Sequence, residues 1–167
     1  LLYAHIGKPH CWKCGDEVKK QSVQQIVDSI LKLKDKAKVY ILAPIIRSKK
    51  GQHKNVLNEI SKKGFIRTRI NGEIYNSDDD VVLEKNKKHT IEILVDRLVI
   101  EKNMYERITE SVELALKLGK GLLTVYELSG HEHIYSENFS CTKCEISLAE
   151  MSPRMFSFNS PFGACKK

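Results

Sequence analysis

Between Val39 and Ile46 the sequence reads VYILAPII, a continuous apolar stretch rich in residues that favour strands. Neither face of such a segment is suited to water, so it has to be a strand covered on both sides and central in a sheet. That demand organises the rest of the chain. A chain of 167 residues, 41% hydrophobic and 29% charged, can bury one good core with a small appendage. Pro44 breaks the run, which falls well short of the ~20 residues that span a bilayer. A cytoplasmic protein without membrane contact is expected.

Around this strand the pattern predicts helix, strand, helix, hairpin, long strand, helix, strand. Ser22 with Gln25 forms a capping-box start, and Val23, Ile26, Val27 and Ile30 recur at helical spacing over residues 22–33. Val56, Leu57 and Ile60 mark a second, short helix, with Gly64 as its left-handed stop. Residues 65–70 alternate apolar side chains with Arg67 and Arg69, and Asn71-Gly72 then signals a tight hairpin returning along residues 73–76. Residues 77–80 read as an acidic loop. A long strand follows over 89–100, its alternation failing at Asp96 and Arg97 as at a bulge or an exposed charged end.

Asn103 is placed as the cap of a third helix, with Met104, Ile108, Val112, Ala115 and Leu118 as its buried stripe. Glu106, Glu110, Glu113 and Lys117 line the opposite face, and Gly119 and Gly121 end the helix. Residues 122–128 form one more strand, after which regular patterning fades, so a boundary is set near residues 130–138. The fold class is α+β: a mixed, largely antiparallel sheet packed with about three helices, followed by a short C-terminal segment.

Catalytic motifs are weak. Gly119-Lys120-Gly121 lacks the spacing of a phosphate loop, and Leu128-Ser129-Gly130 continues with His131 rather than as an ABC signature. Six histidines and many carboxylates offer no local context for a triad, so no enzyme activity is expected of this chain. The charge of +7 favours acidic partners or a phosphate backbone without choosing between them. Its local concentrations, residues 47–50 and 85–88, read as solvated faces. A nucleic-acid-binding module with a zinc knuckle is the alternative reading, but the aromatic residues are 7% of the chain and are not interleaved with the basic groups.

The five cysteines point to metal rather than disulfides. Cys11 and Cys14 form one Cys-x-x-Cys, Cys141 and Cys144 another, and Cys165 stands two residues from the end of the sequence. Cys141 and Cys144 with Cys165 fit most of a tetrahedral zinc site whose fourth ligand would follow Lys167. A rival pairing joins Cys11 and Cys14 to Cys141 and Cys144, since both pairs flank the same domain and domain ends often lie close together.

Five strings, LAPII at 42–46, GFIRTRING at 64–72, KKHTIE at 87–92, VDR at 95–97 and PRMFSFNSPFGAC at 153–165, together make the chain resemble the UvrA family of bacterial nucleotide excision repair. The resemblance runs collinearly along essentially the whole sequence. It implies a region inside the first ATP-binding half, between the Walker A segment and the ABC signature, and so without ATP of its own. Residues 1–20 would be a lead-in from the ATPase half, 21–130 the domain that binds the partner protein UvrB, and 131–167 the start of a zinc-containing module. Cys141, Cys144 and Cys165 would be zinc ligands, with UvrB contacted by Arg67, Arg97, Glu110 and Glu113. The full-length relatives would be DNA-damage-recognising ATPases that bind damaged DNA and form homodimers.

Overall fold

The computed structural model describes residues 7–18, 20–76, 79, 81–101, 103–138, 141 and 144. Cys165, the PRMFSFNSPFGAC string and most of the acidic 77–80 loop lie outside these described residues. The chain divides into two compact units, one of Leu1–Lys20 with Asn138–Lys167 and the other of Gln21–Glu137.

In the larger unit the elements run α1 (Val23–Leu31), β1 (Lys38–Lys50), α2 (Lys54–Lys62), β2 (Arg67–Ile70), β3 (Glu73–Asn76), β4 (Lys88–Val99), α3 (Tyr105–Leu118), β5 (Leu122–Glu127) and β6 (Glu132–Ser136). The strands form one six-stranded sheet in the order β3-β2-β4-β1-β5-β6, and each neighbouring pair is antiparallel. The apolar stretch of β1 is thus an inner strand, as its composition demands. Val39, Ile41 and Ala43 meet Ile26, Val27 and Ile30 of α1 and Ile108, Val112 and Ala115 of α3 in one buried cluster with Ile91, Ile93, Leu123 and Val125. Fully burying side chains of this size stabilises by about 1.5–3 kcal/mol each. Ile60 and its neighbours Val56 and Leu57 bring α2 to the same core.

Local chemistry sets the boundaries. Ser22 Oγ accepts from the Gln25 amide at 3.3 Å, and Gln25 Oε1 accepts from the Ser22 amide at 3.0 Å, closing the capping box. Asn71 and Gly72 take φ of 52° and 96°, the pair of positive values a two-residue hairpin requires. At the β4 irregularity Ile41 faces Asp96 while Leu42 faces Leu94, so Val95 is the extra residue of a bulge.

Two details differ from the sequence pattern, at the start of α3 and beyond residue 130. Met104, not Asn103, occupies the N-cap of α3, and it makes no side-chain capping bond. Gly119 is the C-cap of α3, as the pattern predicts, and it is needed there for space: its φ is ordinary, but a Cβ there would lie 2.1 Å from the Leu122 carbonyl oxygen. The regular structure also continues past residue 130, because β6 pairs along β5 from Tyr126↔Glu132 to Leu122↔Ser136. At the unit's two ends, the Gln21 amide donates to the Ser136 carbonyl at 3.0 Å.

Candidate docking surface and cysteine cluster

Strand periodicity puts Tyr40, Leu42, Arg69, Glu92, Thr124 and Tyr126 on the face opposite the helices. That face is charged at its centre. Arg69 Nη1 lies 3.3 Å from Glu92 Oε2 and 2.9 Å from Glu132 Oε1, with its guanidinium carbon 4.5 Å from the centre of the Tyr126 ring. Glu92 is 5% exposed, and burial pushes its carboxyl above the usual range even though Arg69 pulls it down.

At one end of the sheet a cleft of about 540 Å³ is lined by Arg67, Arg97, Arg107, Asp96, Ile66 and Leu94 among others. The bulge at Val95 turns the Asp96 carboxylate toward α3. There it accepts from Arg107 Nε at 3.1 Å, Arg107 Nη2 at 3.0 Å and Ser111 Oγ at 3.0 Å, besides the Arg97 amide at 2.7 Å. Burial pushes Asp96 up, but these donors outweigh it and hold the carboxyl below the ordinary range. Arg107 is correspondingly strengthened as a cation by its bonds to Asp96.

Arg67 and Arg97, distant in sequence, therefore share one cleft with a third arginine that the sequence pattern did not single out. Glu110 and Glu113 are exposed on α3 and do not line its wall; they follow Arg107 on the same helix. Ile66, 75% exposed, gives the cleft an apolar lip. The surface combines fixed positive charge, a neighbouring acidic face and one apolar handle, a mixture that fits a specific protein partner better than a small-molecule substrate.

In the smaller unit the sulfurs of Cys11, Cys14, Cys141 and Cys144 all lie within 4.8 Å of one another, with Cys14 and Cys141 3.5 Å apart. The first pair sits on a tight turn: the Gly15 amide donates to the Cys11 carbonyl at 2.7 Å, the Cys11 amide to the Asp16 carbonyl at 2.8 Å, and Gly15 takes a φ of 78°. On the second pair, the Cys144 amide points at Cys141 Sγ from 3.4 Å. All four are free thiols. Four thiolates on zinc at about 2.3 Å sit about 3.8 Å apart in a tetrahedron, so this spacing can accept a metal ion. The Cys14 backbone amide draws the Cys11 thiol down to about 7 against the effect of burial. The Cys14 thiol is pushed up to about 12: the Asp16 amide lowers it, but burial and the neighbouring sulfurs outweigh that. The structure joins the second Cys-x-x-Cys to the first; Cys165 is outside the described residues.

Residues 21–129 match the family model described as the UvrA interaction domain. Over its whole length the chain is 52% identical to UvrABC system protein A of Clostridium perfringens, and over 99% of its length 46% identical to UvrABC system protein A of Bacillus subtilis. It spans 18% and 17% of those two relatives, respectively. A third relative of the same description, from Clostridium acetobutylicum, is 52% identical over 99% of the chain and 18% of its own length.

Proposed function

The chain belongs to the UvrA interaction-domain family, and from that premise we propose that residues 21–137 are a non-catalytic docking platform for UvrB, recruiting it to DNA lesions during nucleotide excision repair. The observation that carries the reading is the shared cleft. Arg67 and Arg97, the two cations expected from the resemblance to meet UvrB, line it together, while Glu110 and Glu113 present an acidic face on the helix that supplies Arg107. Opposite charges placed side by side fix the register of a partner and speed encounter at low salt. In the full-length protein, ATP hydrolysis would belong to other regions.

The test is a calorimetric titration with UvrB. Arg67→Glu, Arg97→Glu, or Glu110→Lys with Glu113→Lys should each weaken binding at least about tenfold, a loss of ~1.4 kcal/mol. Unchanged affinity in all three, with unchanged circular dichroism, would sink the assignment.

The smaller unit is proposed as a structural zinc module. Cys141 and Cys144 supply two ligands. Cys11 and Cys14 complete a four-sulfur set in the observed geometry, whereas the resemblance supplies Cys165 instead. Bound zinc would fix the turns that carry these thiols and supply no open coordination position for chemistry.

A further inference from the structure

The Arg107 guanidinium has two edges that can hold a carboxylate, and the fold engages one of them. Nε and Nη2 grip the two oxygens of Asp96 at 3.1 and 3.0 Å, a side-on fork. The end-on edge, Nη1 with the second Nη2 hydrogen, presents an equivalent pair of parallel donors. Among the described residues no acceptor meets it. Arg107 turns to Asp96 in preference to Glu110, one turn further along α3, so its side chain is drawn toward β4 and the cleft.

Asp96 is itself fixed. The Val95 bulge turns it toward α3, and it accepts from the Arg97 amide and Ser111 Oγ as well as from Arg107. The guanidinium is therefore oriented before a partner arrives, which spares part of the side-chain entropy an exposed arginine loses on binding.

The cleft around that edge is short of negative charge, since Arg67, Arg97 and Arg107 line it against the carboxylate of Asp96. Charge alone would admit a phosphate as readily as a carboxylate. Two neighbouring features select between them. Ile66, 75% exposed, and Leu94 place apolar surface in the same cleft, where a phosphate backbone has little to bury. Glu106, Glu110 and Glu113, all exposed on α3, repel a continuous polyanion running past Arg107 but tolerate an isolated acid. The combination fits a protein segment that carries an Asp or Glu beside a bulky apolar side chain.

We propose that the end-on edge of Arg107 is a specificity-determining contact of the docking cleft. It takes one carboxylate of the partner protein while that residue's apolar neighbour packs on Ile66, and Asp96 is its positioning residue. This rests on the docking reading above and names the chemistry the cleft would recognise. A lysine would keep the charge but could not hold Asp96 and a second carboxylate in parallel pairs.

The test is calorimetric titration of the 167-residue chain with UvrB. Arg107→Lys and Arg107→Met should each lower affinity at least about tenfold with circular dichroism unchanged. Lys50→Met, at the far end of β1, should bind as the unaltered chain does. A double-mutant cycle against UvrB variants, each with one exposed Asp or Glu changed to its amide, should find a carboxylate coupled to Arg107→Met by about tenfold. If Arg107→Met loosens the fold, Arg107→Lys carries the cycle. On an Asp96→Asn background the cost of Arg107→Lys should shrink, because the arginine is no longer held in place. Full affinity in Arg107→Lys while Arg67→Glu weakens binding overturns this proposal and leaves the docking reading standing; so does an arginine coupled to no partner carboxylate. No binding by the unaltered chain removes both. Competition with UvrB by a DNA duplex, lost in Arg107→Met, would assign the edge to phosphate and also overturns the proposal.

Discussion

Arg69 Nη1 lies 2.9 Å from Glu132 Oε1, although three strands separate β2 from β6 in the order of the sheet. Strands sit ~4.8 Å apart, so a flat sheet would hold these two about four spacings, roughly 19 Å, from each other. The contact therefore requires the sheet to curl around its helix-free face, with Arg69 as a clasp between an outer pair of strands and the opposite edge.

Removing the clasp should cost more than the ion pair is worth. Arg69→Met leaves Glu92, whose side chain is 7% exposed, buried without its paired cation, with Arg47 acting on it only through space. The expected loss is about 3 kcal/mol in urea unfolding, and a second change, Glu92→Leu, should restore most of it because the orphaned charge disappears. A single-variant loss below about 0.5 kcal/mol would mean that the curl is held by packing alone.

Acid should weaken the bulge. The Asp96 carboxyl is held below its ordinary range in the folded state, so its contribution is complete above the unfolded value near 3.9 and is lost as pH falls through the lower folded value. Glu92 has the opposite sign. Its raised carboxyl contributes at acidic pH, and that contribution is lost as pH rises through the folded value. In melts from about pH 3 to 7, Asp96→Asn should flatten the acid side of the profile, and Glu92→Gln should remove the loss of stability that the Glu92 titration imposes from acid toward neutral. At neutral pH Asp96→Asn should also cost about 2 kcal/mol through weakened charge-assisted bonds.

Metal should stabilise the smaller unit. Zinc at a hundredfold excess over its dissociation constant is expected to add about 2.7 kcal/mol to whatever folds around it, and chelator to remove it. Metal analysis of Cys11→Ser and Cys165→Ser separates the two ligand sets. If Cys11→Ser keeps full zinc and Cys165→Ser loses it, the site uses the cysteine nearer the end of the sequence.

Gly119→Ala should destabilise by about 2 kcal/mol, as overpacking does, because the new methyl meets a backbone carbonyl that no rotamer change can move. Thermal unfolding read by circular dichroism checks it, and a neutral result would show that the α3–β5 turn can open.

What the sequence discloses is what local chemistry decides. Ser22 with Gln25, and Asn71 with Gly72, announce their geometry because each depends on residues at most three apart. The bulge at Val95 is visible as a failure of alternation. β6 is not, since Glu132–Ser136 has little strand pattern of its own and becomes a strand only by lying along β5. Arg107 is equally hidden: its place in the cleft exists only once α3 is laid beside the bulge that turns Asp96 toward it. The meeting of Cys14 with Cys141 spans 127 positions. Spacing within each pair suggests metal, but only the tertiary fold brings the two pairs together.

The hydrogen bond between the Gln21 amide and the Ser136 carbonyl stitches together the points where the larger unit is entered and left. A domain whose two ends share one spot can be grafted into a surface loop of a host chain without stretching it, because the host feels a single narrow stem. The same stem makes the unit a removable cassette. Its outer surface can drift while the paired ends keep their own hydrogen bond.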